Sequence, residues 1–130
     1  MDKFIRYVLW FSAVFNLGGA LMFAFPSSPA GKFAGLPTPV PVIYRILVAL
    51  FVLLFGGAYA WLARQSNIDR PLLALGAIGK AGAFLVVFIL WLLGEATGHG
   101  LLAVTGDLIL AGSFTWWLLG SRENAPADMN

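Results

Sequence analysis

Lys80 and Asp107 each lie inside a stretch of apolar residues long enough to cross a bilayer. A charge at that depth is normally paired, wetted by a cavity or used, so both are candidate functional residues by default. Three chemistries are open to them. The first is a buried ion pair that sets helix register and nothing more, as in a structural scaffold or assembly protein. The second is a polar pocket opening toward the outer leaflet for the head of an amphipathic molecule such as a lipid, isoprenoid or quinone. The third is a proton path, because an aspartate beside a lysine can exchange a proton when access alternates, as a small proton-coupled transporter requires.

Other residue types exclude as much as they offer. With 60% hydrophobic and 11% charged residues in a chain of 130, and a mean hydropathy of +0.87, one soluble core could not hide this much apolar surface. A single integral membrane domain fits the length. Eight basic and six acidic residues are too few and too scattered for a nucleic-acid surface. Without cysteine there is no disulfide framework, thiol relay or thiolate metal site. His99 and Glu95 sit one helical turn apart, but glycines surround them and no third ligand is near, so they read as a solvated loop and not as a metal site. No phosphate-binding glycine loop or nucleophile elbow is present, which argues against an enzyme acting alone and against an intrinsic cofactor.

Four apolar segments must position the charged pair: residues 7–25, 43–63, 71–93 and 101–119, each near the roughly 20 residues needed to span. The run Pro26 to Pro41 is too proline-rich for helix and reads as an ordered or re-entrant surface loop. Residues 120–130 read as a polar tail. Lys3, Arg6, Arg64, Arg70 and Arg122 fall on one side of the spans, against Lys32 and Arg45 on the other. The expectation is an all-α, antiparallel four-helix transmembrane bundle in the cytoplasmic (inner) membrane, with both termini cytoplasmic. Met1 to Arg6, the first apolar run and Ser28-Pro29-Ala30 also imitate a signal peptide, but the run is too long for one and Asn16 interrupts its middle.

At roughly 100° per residue, the third span places Gly76, Gly79, Lys80, Ala83, Val87 and Gly94 on one face. Ile78, Leu85, Ile89 and Leu92 lie opposite. Small residues let membrane helices approach, so the lysine face should pack inward. By the same reading Ser12, Ala13, Asn16, Gly19 and Ala20 face inward on the first span. On the second, the inward residues are Arg45, Ala49, Val52, Gly56, Tyr59 and Ala63. On the fourth, Ala103, Asp107, Ala111, Phe114 and Leu118 form one stripe while Gly112 and Thr105 weaken the opposite one, and Asp107 is placed inward by the cost of its charge more than by pattern. The candidate site is therefore Asn16, Arg45, Tyr59, Lys80 and Asp107. With about 1.5 Å rise per residue, Asn16 and Lys80 fall near the midplane, Asp107 about one turn further out and Arg45 about two. Lys80 should reach Asp107, with Arg45 approaching it from the other side. Phe114, Trp116 and Trp117 are the aromatics nearest the site, but tryptophan near a helix end reads first as an interfacial anchor.

The plan of four short spans, with Gly56-Gly57-Ala58-Tyr59 running into Arg64, resembles the DoxX-like group of small bacterial membrane proteins. Tyr44-Arg45, Gly79-Lys80 and Gly106-Asp107 are similar to a pattern in other four-span bacterial proteins with no assigned activity. The first span carries Asn16-Leu17-Gly18-Gly19 where DoxX-like proteins often have a lysine-bearing glycine motif. Resemblance to the group implies a four-helix fold and an accessory role in a membrane complex, with a quinone or lipid as ligand. The expected partners are membrane lipids and a complex subunit or a second copy. Small multidrug transporters also have four spans, but they carry an acidic residue in the first, where this chain has Asn16.

Overall fold

A computed structural model describes residues 2–123, with the side chains of Arg122 and Glu123 excepted. The described residues form helices α1 (Asp2–Ala24), α2 (Pro29–Phe33), α3 (Val42–Arg64), α4 (Arg70–Leu92) and α5 (Gly98–Glu123), with no strand among them. All but α2 are long and apolar enough to cross a membrane, which makes the chain a multi-pass membrane protein. A helix of 23 residues rises about 35 Å, slightly more than the hydrocarbon thickness of about 30 Å.

Local chemistry explains the helix ends. The Asp69 carboxylate accepts from the Leu72 amide and Pro71 occupies the first turn of α4, where its missing N–H costs nothing. Thr97 Oγ1 accepts from the Gly100 amide at the start of α5. Gly94, at φ 78°, turns the chain after α4 in a conformation that disfavours side chains. Helix α1 begins five residues before the apolar run, because polar residues at a helix end stay helical in the interface. For the same reason Gly120–Glu123 continue α5 and do not belong to a tail. The rest of the expected tail, and the Arg122 side chain, lie outside the described residues.

One expectation is corrected in the connection from Pro26 to Pro41, which contains α2. Ser28 caps it by accepting from the Gly31 amide, and Pro29 stands at the first helical position, where proline is favoured. The other prolines flank the short helix and do not interrupt it. Its backbone packs closely: a Cβ at Gly31 would lie 2.2 Å from Pro26 O, and one at Gly100 would lie 2.7 Å from Ala34 O. The Phe33 ring stacks on His99 at 4.9 Å between centroids, which places His99 in the first turn of α5 and not in a loop. Gly31→Ala is expected to unseat α2, because backbone cannot move aside as a flexible side chain can. Faster hydrogen exchange confined to residues 26–36, with the long helices unchanged, is the expected reading.

The long helices are arranged in two pairs, with α1 along α3 and α4 along α5. Their outer faces follow the helical periodicity. Phe11, Val14, Leu21, Leu54, Trp61, Ile78 and Leu85 are exposed, an apolar surface that only lipid or a partner can cover. One end of the bundle is closed by a core of Ile5, Leu9, Tyr59, Leu62, Leu73, Phe114 and Trp117. Trp117 is 6% exposed, with the Arg70 guanidinium 5.7 Å above its ring. The anchor expectation fails for Trp117 and suits Trp116, which is 59% exposed. Arg70 also donates to Leu118 O and to the Ser121 hydroxyl, and these bonds hold Trp117 beneath it.

Toward the α2 end the pairs separate. Helices α3 and α4 approach where the Tyr59 ring lies over Gly76 and the Phe55 ring over Gly79. Beyond that crossing most of the large apolar residues on both helices are exposed and none is fully buried. Gly79 and Ala83, expected to pack against a neighbouring helix, are exposed instead, because α3 leans on α1 and leaves a gap before α4.

Candidate functional site

At the base of that gap Lys80 is 3% exposed. Its Nζ donates to Asn16 Oδ1 at 2.9 Å and to Asp107 Oδ1 at 2.9 Å. The ion pair runs through Oδ1 alone, and Asp107 keeps 17% exposure. The same ammonium lies 5.0 Å from the Phe15 ring centroid and 5.1 Å from that of Tyr59, close enough for both ring faces to favour the cation. Asn16 uses its other end as well, donating from Nδ2 to Val52 O at 3.0 Å. One chain of polar contacts therefore joins α3, α1, α4 and α5 in turn. In a medium without water to substitute for a lost partner, each of these contacts supports the next.

Glycines on facing helices make the arrangement possible. A Cβ at Gly56 would stand 3.1 Å from the Asn16 Cβ, so α1 and α3 meet at the height where Asn16 bonds to Val52. A Cβ at Gly76 would stand 2.8 Å from Tyr59 Cε1, and one at Gly106 would stand 2.7 Å from Phe15 Cε2. Each ring that flanks the ammonium thus lies on a glycine of α4 or α5. This is the close backbone approach that small residues permit in membranes.

Above the polar chain is a cavity of about 750 Å³, within the size range of small-molecule sites. Its floor is Asn16, Tyr59, Lys80 and Asp107, and its wall is otherwise apolar, with Phe15, Phe23, Phe51 and Phe55 as the aromatic contributors. Ala30 of α2 borders it at the far end. Gly18 and Gly82 also line it, and a Cβ at either would meet no atom within 4 Å.

Four of the five site residues expected from sequence, Asn16, Tyr59, Lys80 and Asp107, therefore meet at one place. Arg45 does not. It is absent from the cavity lining, and its Nε is enclosed without a hydrogen-bond partner among the described residues. Seven residues separate it from Val52, about 10 Å along α3, and α3 packs chiefly on α1 and not on the helix that carries Asp107. Phe114 buries against Tyr59 without reaching the cavity. Sequence reasoning missed Phe15, Phe51 and Phe55. The only trace of Phe15 was its place next to Asn16 and the glycine next to Asp107, and neither says which helices are neighbours.

These features define a class: a small multi-pass membrane protein with a buried lysine–aspartate pair beneath an apolar cavity. Comparison with protein-family models, with curated proteins and with solved structures finds no match to this chain.

Proposed function

We propose that this chain is an antiparallel four-helix bundle of the cytoplasmic (inner) membrane that binds an amphipathic small molecule, a lipid or a quinone, in the cavity above Lys80. It acts there as an accessory subunit of a membrane complex. The antiparallel order is supported by contacts that descend α3 as they ascend α1, from Arg6 with Ala63 O to Asn16 with Val52 O. Lys3, Arg6, Arg64 and Arg70 gather at the closed end, which supports a cytoplasmic position for both termini. The carrying observation is the cavity, apolar along its wall and hydrogen-bonding only at its floor, a shape matched to a polar head on an apolar tail. The DoxX-like resemblance supports the subunit role.

A second reading has its own support. Lys80 is met by Asn16, Asp107 and two rings, as complete a set of partners as a purely structural pair in a scaffold protein would need.

Gly18→Leu and Gly82→Leu separate the two readings, since both glycines line the cavity and a Cβ at either enters open space, leaving room for a larger side chain to occupy it. Extracted with native lipid, each variant is expected to retain wild-type thermal stability and to lose about tenfold or more of the co-purifying small molecule by mass spectrometry, a change of roughly 1.4 kcal/mol or more in binding. Unchanged occupancy in both variants would leave the cavity without a ligand and favour the scaffold.

A further inference from the structure

The wall of the cavity says where its ligand comes from, and the floor says what charge the ligand carries. Half of the lining belongs to α3 and α4. Two of these residues, Phe51 on α3 and Val86 on α4, are 58% and 57% exposed, so they border the cavity and also face outward. The outward neighbours on the same helices are Leu50, Leu54, Ile78 and Leu85, which belong in hydrocarbon. The seam between α3 and α4 therefore opens into the bilayer at mid-depth, while the core around Leu9, Leu62, Leu73 and Phe114 seals the opposite end.

On the floor, Lys80 and Asp107 share a hydrogen bond through Nζ and Oδ1, and their charges sum to zero wherever the shared proton sits. Among the described residues no other Lys, Arg, His, Asp or Glu lines the cavity. A phosphate or carboxylate head would be drawn to Lys80 but would have to displace Asp107 or lie beside it, and a cationic head meets the reverse problem. Either one brings an uncompensated charge into an apolar wall, which is costly. An uncharged oxygen head avoids this, because it can accept from the ammonium or donate to the carboxylate while the pair stays intact.

Building on the ligand reading above, we infer that the cavity takes an uncharged, oxygen-headed amphiphile dissolved in the bilayer, which enters sideways between α3 and α4. Anionic and cationic lipids and water-borne solutes are excluded.

Three probes with one tail and different heads test the charge rule: dodecanol, dodecyl phosphate and dodecyltrimethylammonium, each added to the protein in phosphatidylcholine nanodiscs. The readout is the thermal unfolding midpoint followed by tryptophan fluorescence, with Gly82→Leu and Gly18→Leu as filled-cavity controls. Dodecanol is expected to raise the midpoint by about 5 °C in the unmodified protein and by nothing in the controls, and the charged probes are expected to give no cavity-dependent rise. Asp107→Asn, which leaves Lys80 without its counter-charge, should shift the preference to dodecyl phosphate.

A cavity-dependent rise with dodecyl phosphate in the unmodified protein overturns the charge rule and leaves the ligand reading standing. No cavity-dependent rise with any probe overturns both. For the route, the chain has no cysteine of its own, so Phe51→Cys with Val86→Cys supplies the only thiols for a bifunctional cross-linker. Closing that link should slow dodecanol association about tenfold relative to the unlinked double variant, and an unchanged rate overturns lateral entry.

Discussion

Lys80→Met should cost about 3–5 kcal/mol of folding stability, the usual range when one partner of a buried pair is removed. Methionine keeps most of the length and apolar volume of the lysine stem, so packing against Phe15 and Tyr59 survives and the loss is electrostatic. Asp107 is left with its charge in an apolar gap, and Asn16 Oδ1 loses the donor now 2.9 Å away. The chain of contacts through all four long helices is then cut at its centre. Denaturant unfolding in mixed micelles, followed by the fluorescence of the five tryptophans, measures the change. A loss below about 1 kcal/mol would mean that Asp107 finds another partner or gives up its charge at little cost. Asp107→Asn should cost less, since an amide oxygen can still accept from Nζ. Lys80→Met is expected to lose ligand binding, and Asp107→Asn to lose the uncharged ligand.

Removing both charges gives a different expected result. With Lys80→Met and Asp107→Leu combined, no unpaired charge remains, and apolar replacement of buried pairs is often neutral or stabilising by about 1–4 kcal/mol. The double variant should therefore recover the stability lost by Lys80→Met alone, and the pairwise coupling read from the cycle should be large because the two groups touch. Its floor, however, no longer offers a donor or an acceptor from the pair to a polar head. A stable protein without ligand would separate the role of the pair in binding from its role in folding. A stable protein that keeps full activity would assign the pair to structure alone. The exchanged pair, Lys80→Asp with Asp107→Lys, completes the comparison. Restored folding with lost binding identifies chemistry that depends on which helix carries the cation.

Much of the fold was legible in the linear sequence, for reasons that differ between elements. The long helices were readable because a bilayer demands about 20 apolar residues with an internally bonded backbone, and α3 and α4 match their predicted spans to within a residue at each end. The outward faces were readable because only a period near 3.6 separates Ile78 and Leu85 from Lys80. Helix α2 escaped notice because a helix of five residues has too little periodicity to oppose a run of prolines. Trp117 was misread because its identity says only that it is amphipathic, whereas its burial depends on Arg70, 47 positions away in sequence.

The candidate site divides along the same line. That Lys80 and Asp107 must find partners was determined by sequence, since the cost of a lone charge in hydrocarbon does not depend on the fold. That Asn16, Lys80 and Asp107 face inward followed from helical phase together with that cost. The tertiary structure decided which helices are neighbours, and with them the choice of partners. Lys80 is shared between Asn16 and Asp107 because α5 packs along α4 while the long lysine side chain reaches across to α1, and Arg45 is left aside because α3 packs chiefly on α1. It also decided that α3 and α4 part beyond Tyr59 and Phe55, turning a predicted packing face into the wall of a cavity. Helical phase is a property of each segment taken singly, whereas a gap is a property of two segments and of the glycines and rings that set the distance between them.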